Sequence, residues 1–400
     1  MTASIFSAVE MAPRDPILGL NEAFNADTRT TKVNLGVGVY FDASGKLPLL
    51  EAVKNAEQTR LATMPSRGYQ PIDGIVAYNK AVQGMLFGAD SRLVAEGKVV
   101  TVQTLGGTGA LKEGADYLKR LLPDATVYIS DPSWENHRAI FETAGFPVDT
   151  YPYYDTSTRG VDFAAMKSAF EKLPAGSIVI LHACCHNPTG ADLNKEQWVE
   201  IIDIIKARGL VPFADLAYQG FADGIDEDAQ ALNLLVASGV QFLVASSYSK
   251  SFSLYGERIG ALSVVTASKE ESARVLSQIK RLIRANYSNP PTHGGAIVAA
   301  VLSSEELRQI WEAELKGMRE RIKLMRTSLV EKLKAKGVAR DFSFIAKQRG
   351  MFSYTGLSAE QVDRLQKEFG IYAVSTGRIC VAALNDKNID YVVDAIAAVL

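Results

Sequence analysis

A lysine near the middle of the chain follows an apolar segment and has hydroxyl groups and an arginine close to it. Residues 242–245 are apolar and lead into Ser247 and Lys250, and Arg258 comes eight residues later. A position just after a buried strand withdraws a lysine from water, which favours the neutral, nucleophilic amine. The serine hydroxyls and the arginine could hold a phosphate. These are the requirements of pyridoxal phosphate (PLP), although a surface lysine in a serine-rich turn explains this segment alone equally well.

The lysine segment is one of a series of short apolar runs that alternate with longer amphipathic ones. The predicted strands are 99–103, 126–130, 177–182, 210–214, 242–246 and 260–265. The helix-like segments between them include 110–121, 140–144, 162–172 and 195–207. This alternation predicts an α/β fold with a mostly parallel sheet covered on both faces by helices. Ligands of such sheets bind beyond the carboxyl ends of the strands.

Chemically capable residues follow four more of these predicted strands. A Gly106-Gly107-Thr108 run could bring backbone N–H groups to an anion, and Trp134 offers an aromatic face. The other two of these strand ends carry Asn187 in an Asn-Pro-Thr-Gly turn, and then Asp215 and Tyr218. Each motif alone has an ordinary explanation as a turn, a core residue or a helix cap. Because five strand ends would share one rim, together they predict one binding site.

Two other sites suggested by local motifs are not supported. His182 and His186 flank two cysteines, but one lies on a predicted strand and the other in a turn, and no second ligand pair has zinc spacing. Ser247 and Lys250 fit the S-x-x-K pattern of serine acyl-enzymes, yet the chain has no K-T-G element. We therefore expect neither a metal site nor an acyl-enzyme.

The bulk composition is that of a soluble globular protein. The 400 residues are 47% hydrophobic and 22% charged, with a net charge of −2. This balance argues against nucleic acid as a partner, and the absence of an 18-residue apolar run argues against a membrane span. The start of the chain does not resemble a signal peptide. Three cysteines, two of them adjacent, do not predict a disulfide framework, so we expect a cytoplasmic protein.

The pattern changes after the predicted sheet. Ser303 and Glu306 suggest a capping box, apolar residues then recur every three or four positions, and Gly337 suggests a helix end. We expect one long helix that joins two domains, followed by a smaller α+β unit with strands at 351–354, 371–374 and 379–383. The predicted large domain covers 46–315. The predicted small domain combines 316–400 with 1–45, which include an N-terminal arm that packs there or reaches a neighbouring subunit.

Ordered motifs along the chain resemble a known family. Asn187-Pro188-Thr189-Gly190, Asp215-x-x-Tyr218 and Ser247-x-x-Lys250 with Arg258 are similar to motifs of the fold-type I PLP-dependent aminotransferases, in their aspartate and aromatic subgroup. The similarity extends from Asn34-Leu35-Gly36-Val37-Gly38 to Ser375-Thr376-Gly377-Arg378. It implies a large domain with a mostly parallel mixed sheet, a smaller α+β domain and a long helix between them.

The resemblance also implies roles in holding PLP. Lys250 would bind the cofactor covalently and later move a proton at the substrate α-carbon. Asp215, oriented by His137, would pair with the pyridinium nitrogen, and Tyr218 would contact the phenolic oxygen together with Asn187. Trp134 would stack on the ring. The implied phosphate ligands are Gly107, Thr108, Ser247, Arg258 and, from the partner subunit, Tyr69. This last contact implies a homodimer with shared active sites.

The same resemblance implies how small-molecule substrates bind. Arg378 would grip the α-carboxylate, and Arg284 of the partner subunit would take a side-chain carboxylate. Gly38, Trp134 and Asn187 would line the substrate cleft, and Phe41 would make its entrance more apolar. The implied reaction moves the amino group of L-tyrosine or L-phenylalanine, with L-aspartate as a further donor, to 2-oxoglutarate by ping-pong chemistry.

Three alternatives differ in how well they fit. An aspartate aminotransferase with minor aromatic activity fits the same motifs. A PLP-dependent lyase or decarboxylase on the same fold is disfavoured, because the pair Arg284 and Arg378 suits two-carboxylate substrates undergoing transfer. A binding module without activity is disfavoured by the presence of Lys250 and Asp215.

Overall fold

The structure is a computed structural model that describes residues 4–13, 15 and 17–400. Its helices are α1 (Leu18–Ala26), α2 (Glu51–Thr63), α3 (Val76–Phe87), α4 (Arg92–Ala95), α5 (Gly106–Leu121), α6 (Glu135–Thr143), α7 (Phe163–Phe170), α8 (Lys195–Arg208), α9 (Gln230–Ser238), α10 (Lys269–Asn286), α11 (His293–Ser303), α12 (Glu305–Ala335), α13 (Ser343–Lys347), α14 (Ala359–Phe369) and α15 (Ile389–Val399). Its strands are β1 (Val33–Asn34), β2 (Val99–Leu105), β3 (Val127–Asp131), β4 (Val148–Pro152), β5 (Tyr154–Asp155), β6 (Gly160–Val161), β7 (Ile178–His182), β8 (Val211–Leu216), β9 (Leu243–Ser247), β10 (Ile259–Val265), β11 (Phe352–Tyr354), β12 (Ile371–Tyr372) and β13 (Arg378–Cys380).

The main sheet has the order β2-β10-β9-β8-β7-β3-β4. Strand β10 runs antiparallel to β2 and β9, and the remaining neighbours are parallel. The prediction of a mostly parallel mixed sheet is confirmed, and all six predicted strands occur. The prediction missed β4, because this edge strand exposes Asp149 and Thr150 and so lacks an apolar run.

Alternate residues of the strands contribute to two apolar layers, one on each face of the sheet. In β7, Ile178 and Ile180 pack on one side, and Val179 and Leu181 pack on the other. The first side is covered mainly by α5, α6 and α10, whereas the second side belongs to the larger core. Burial of both faces explains why these strands are apolar throughout.

Helix α5 begins earlier than the sequence pattern indicates. That pattern predicts a start at residue 110, but the helix begins at Gly106, whose φ of +71° is unfavourable for other residues. A Cβ on Gly106 would lie 2.4 Å from Nη2 of Arg258, so a side chain at this position would displace the guanidinium. The glycine run is therefore the first turn of the helix, and its backbone approaches the end of the sheet closely.

The long helix predicted after residue 303 is present as α12. The proposed cap was wrong by one residue, because Ser303 ends α11 and Ser304 accepts the hydrogen bond from the backbone N–H of Leu307. Gly337 has a φ of +74° just beyond the helix, as expected for a helix end.

The beginning and the end of the described chain pack together. Strand β1 pairs in parallel with β12, and β11 pairs antiparallel with β13, where Tyr354 lies opposite Arg378. The strands predicted at 371–374 and 379–383 are shorter than expected. The chain turns at Gly377, which has a φ of +85°, and residues 381–383 form a 3₁₀ turn. Among the described helices, none is both long enough and apolar enough to cross a membrane.

Candidate active site

A cavity of about 250 Å³ opens at the carboxyl ends of the central strands. It brings together nearly all of the residues that the sequence predicted for one site. Its lining includes Gly38, Gly107, Thr108, Trp134, Asn187, Asp215, Tyr218, Ser247, Lys250, Arg258 and Arg378. The predicted residues Tyr69 and Arg284 do not line it. The parallel strands account for this convergence, since each delivers its following loop to the same rim.

Lys250 lies in the turn that follows β9 and faces the cavity. Its Nζ is 4.9 Å from the centre of the Tyr218 ring. Burial lowers the pKa of Lys250 to about 8, against the opposing effect of the Asp215 carboxylate, and the Arg258 guanidinium lowers it further. A larger fraction of this side chain than of an ordinary lysine is therefore a neutral amine near neutral pH, as a nucleophile or proton carrier requires.

Asp215 is part of a buried chain of polar groups. Its Oδ2 is 2.9 Å from Nε2 of His137, and Nδ1 of His137 is 2.9 Å from Oγ of Ser133. Burial opposes ionisation of Asp215, but the hydrogen bond with His137 and the electrostatic effects of His137, His182 and Lys250 outweigh it and lower the pKa of the carboxyl. The cavity thus has a fixed negative charge at one end, as predicted for a partner of a pyridinium nitrogen.

Another part of the cavity lining is suited to an anion. The first turn of α5 carries Gly107 and Thr108 with no acidic residue, so its free N–H groups and helix dipole favour negative charge. A Cβ on Gly107 would lie only 3.1 Å from Cβ of Ser247, and Arg258 lines the same cavity. A phosphate fits these donors, and with Lys250 and Asp215 in the same cavity the residues fit PLP.

Arg378 forms the third part of the site and is rigidly held. It is 1% exposed, donates from Nη1 to Oδ1 of Asn187 at 3.1 Å, and donates from Nη2 to the carbonyl oxygen of Gly36 at 2.8 Å. Its Nε has no partner among the described residues. The Phe352 ring lies 4.4 Å from the guanidinium. A buried cation with neutral partners and a spare donor is suited to a carboxylate ligand.

Most of the sequence matches a known protein family. Residues 30–396 match the family described as aminotransferase class I and II. The chain belongs to this family. The protein is a transaminase, and its fold is the fold-type I architecture of PLP-dependent enzymes.

Similar aminotransferases carry two different specificities in their names. The aspartate aminotransferase of Pseudomonas aeruginosa is 64% identical and the aromatic-amino-acid aminotransferase of Escherichia coli is 51% identical, each over 99% of this chain and 100% of the relative. The solved aromatic-amino-acid aminotransferase of Burkholderia pseudomallei, covalently bound to pyridoxal phosphate, is 66% identical. It has a TM-score of 0.97, with 99% of this chain and 100% of that chain covered.

Several residues that line the aminotransferase cavity were not predicted from sequence. Phe352 was recognised only as a strand residue, since a lone aromatic residue in an apolar segment gives no signal of a site. His182 was considered only as a zinc ligand, but its ring packs against that of His137, with 5.0 Å between ring centres. Burial lowers the pKa of His182 to about 3, so the ring is neutral.

The remaining residues predicted for the cofactor or substrate lie elsewhere on the aminotransferase. Phe41 does not line the cavity and packs against the apolar core, so its expected effect on the entrance is not supported. Tyr69 is 96% exposed. Arg284 is exposed at the end of α10, where it donates to Ser288. The idea that Tyr69 and Arg284 serve a partner's site stays a prediction.

Proposed function

We propose that this protein is a PLP-dependent aminotransferase that moves the amino group of L-tyrosine, L-phenylalanine and L-aspartate to 2-oxoglutarate. The observation that carries the proposal is the position of Lys250, an amine with a pKa lowered to about 8, in one cavity with Asp215 and Arg378. We further propose a cytoplasmic homodimer with shared sites. Its large domain would cover 46–315, and its small domain 1–45 and 316–400.

PLP would supply an aldehyde that captures amino groups and a ring that accepts electrons from the substrate α-carbon. The protein supplies the rest. Lys250 would hold the cofactor and, once released, carry a proton at the substrate α-carbon, for which its lowered pKa is suited. Asp215, held by His137, which in turn contacts Ser133, would keep the proton on the ring nitrogen. Gly107, Thr108, Ser247 and Arg258 would hold the phosphate.

Three further side chains would position the ring. Trp134 lines the same cavity, and its ring is 5.3 Å from His137, edge to face. It would stack on the cofactor. Tyr218 and Asn187 would donate to the phenolic oxygen of the cofactor. Burial raises the pKa of Tyr218, which keeps its hydroxyl protonated and able to donate.

Arg378 would bind the α-carboxylate that every donor and acceptor shares, and its fixed position would orient the α-carbon toward Lys250. Arg284 from the partner subunit would bind the second carboxylate of aspartate, glutamate or 2-oxoglutarate. An aromatic donor has no second carboxylate. Since an exposed arginine can remain hydrated, Arg284 can move aside at little cost.

The preferred donor separates two candidate specificities. We place the aromatic amino acids first, with an aspartate-preferring enzyme as the second candidate. The 64% identical relative named an aspartate aminotransferase favours the second candidate. The deciding measurement is kcat/KM for tyrosine, phenylalanine and aspartate with 2-oxoglutarate as acceptor. A strong preference for aspartate would reverse the order.

The role of Lys250 is tested by Lys250→Ala. Purified wild-type protein should absorb visible light through its covalently bound cofactor, and the variant should lose both this band and transamination. Lys334→Ala, at an exposed position on α12, is the matched control and should keep both. Retention of the band in Lys250→Ala would refute the assignment.

Shared sites are tested by mixing two variants that are each impaired in aspartate transamination. In a hybrid of a Lys250→Ala subunit and an Arg284→Leu subunit, one site would combine Lys250 of one chain with Arg284 of the other. Refolding the two variants together should restore aspartate transamination, whereas Lys250→Ala alone should lack it and Arg284→Leu alone should be about 100-fold weaker in kcat/KM. If the mixture stays inactive while forming dimers, the sites are not shared in this way.

A further inference from the structure

Arg326 on α12 is a buried cation whose partners lie on one continuous segment, from Ile345 in α13 through the following loop to Ser353 in β11. Its side chain is 2% exposed. Nη2 donates to the carbonyl oxygens of Gly350 at 2.7 Å and Phe352 at 2.5 Å, and Nη1 donates to Oγ of Ser353 and the carbonyl oxygen of Ile345. These acceptors are neutral, so the cost of burying the guanidinium is offset by hydrogen bonds and not by a direct ion pair.

The loop that receives these hydrogen bonds has an irregular backbone. It runs from the end of α13 into β11, and Gly350 within it has a φ of +78°. A Cβ on Gly350 would lie 2.4 Å from Cβ of Cys185, so the loop is pressed against the segment that precedes Asn187. Buried carbonyl groups in such a loop need donors from elsewhere, and Arg326 provides them.

The same loop supports the carboxylate-binding arginine. The backbone of Phe352 is held by Arg326, and its ring lies 4.4 Å from the guanidinium of Arg378. Strand β11, which continues from the loop, pairs Tyr354 with Arg378 in β13. The Phe352 ring also meets Tyr218 edge to face at 6.1 Å. Arg326 is therefore connected to Arg378 both through a ring contact and through a strand pair.

We propose that Arg326 is a positioning residue for the α-carboxylate subsite: it fixes the loop and strand that hold Arg378 in its binding orientation. The proposal rests on the proposed function, because it assumes that Arg378 binds the carboxylate. Burial lowers the pKa of Arg326 to about 10, which leaves it protonated and able to donate at neutral pH.

The test compares Arg326→Met and Arg326→Lys with Arg319→Met. Arg319 lies on the same helix, is also largely buried, and donates to the carbonyl oxygen of Gly220 at 2.8 Å, a residue outside the loop. Calorimetry measures the dissociation constants of 3-phenylpropanoate and succinate, which carry one and two carboxylates. Thermal unfolding of each variant shows how much of any change is general destabilisation.

We expect Arg326→Met to raise the dissociation constants of both carboxylate ligands by about tenfold. It should raise KM for tyrosine and aspartate by about the same factor, with a much smaller change in kcat. The dissociation constants of Arg326→Lys should lie between those of Arg326→Met and the wild type, since an ammonium can reach some of the carbonyl groups. Arg319→Met should lower the melting temperature without weakening the binding of either ligand.

The outcomes separate this proposal from the proposed function. If the wild type binds both carboxylates and transaminates, but Arg326→Met binds them as well as Arg319→Met does, the positioning role is wrong. If Arg326→Met does not fold, Arg326→Lys against Arg319→Lys decides the question by the same comparison. If the wild type neither binds carboxylates nor transaminates, the proposed function itself is wrong.

Discussion

The two arginines expected to bind substrate carboxylates stand in opposite environments. Arg378 is 1% exposed and is held by Asn187, by the backbone of Gly36 and by the face of Phe352. Arg284 is exposed at the end of α10, and its hydrogen bond is to Ser288, four residues away. One cation is fixed before substrate arrives, whereas the other can change conformation at little cost.

The fixed Arg378 and the adaptable Arg284 match the carboxylates that the proposed substrates do and do not share. Each donor and acceptor has an α-carboxylate, so a rigid Arg378 gives the same orientation to each one. Only some have a second carboxylate, and a rigid buried Arg284 would be left unpaired by tyrosine, at a large cost. An enzyme that accepts both classes therefore needs one fixed and one adaptable arginine.

The largest effect is expected from Arg378→Met. Loss of the fixed cation should reduce kcat/KM for tyrosine and aspartate alike, by a factor on the order of 10³, because a charged, bidentate contact to a shared group is lost. Steady-state kinetics with both donors checks this. A loss confined to one donor would mean that Arg378 binds the side chain and not the α-carboxylate.

A smaller and selective effect is expected from Arg284→Leu. The value of kcat/KM for aspartate and for 2-oxoglutarate should fall about 100-fold, since a charged partner is removed. For tyrosine, kcat/KM should change by less than about threefold. Single-turnover measurement of each half-reaction separates the donor from the acceptor. Equal losses for aspartate and tyrosine would contradict the adaptable role of Arg284.

The contact between Phe352 and Arg378 should have a more modest effect. Phe352→Leu removes the aromatic face but keeps apolar volume, and cation–π contacts of this kind contribute about 1 kcal/mol. We expect KM for both donors to rise by about fivefold. Phe344→Leu is the control, because Phe344 stacks on Phe342 away from the cavity. Equal changes in the two variants would argue against a specific role for the ring.

The sequence was most informative where local chemistry decides the structure. The six apolar strands and the residues that follow them could be predicted, because parallel strands bring their carboxyl ends to one rim. Phe352 could not, since its contact with Arg378 depends on how two distant segments pair. The burial of Arg326 was equally invisible, because an arginine within an amphipathic helix is ordinarily expected at the surface.

The smallest effect on substrate preference is expected from a change at Glu113, a buried carboxyl that contacts the chain close to Arg284. Glu113 on α5 is 2% exposed, and its Oε1 accepts a hydrogen bond from Nδ2 of Asn286, two residues beyond Arg284. Its Oε2 is buried without a partner among the described residues. Burial raises the pKa of Glu113 above its ordinary value of 4.5, and the hydrogen bond from Asn286 opposes this only in part.

A raised pKa in the folded state means that the native protein holds the Glu113 proton more tightly than the unfolded chain does. The resulting stabilisation is present at low pH and is lost as pH rises above 4.5 toward the folded value. Glu113→Gln, which cannot ionise, should therefore gain stability relative to the wild type as pH rises from 4.5 to neutrality, as measured by thermal unfolding. The ratio of kcat/KM for aspartate to that for tyrosine should change by less than about twofold, because the substituted amide can still accept a hydrogen bond from Asn286 and Arg284 keeps its place. A stability difference independent of pH would mean that folding does not raise the pKa of Glu113. A large change in the ratio would mean that Arg284 is positioned more firmly than its exposed side chain indicates.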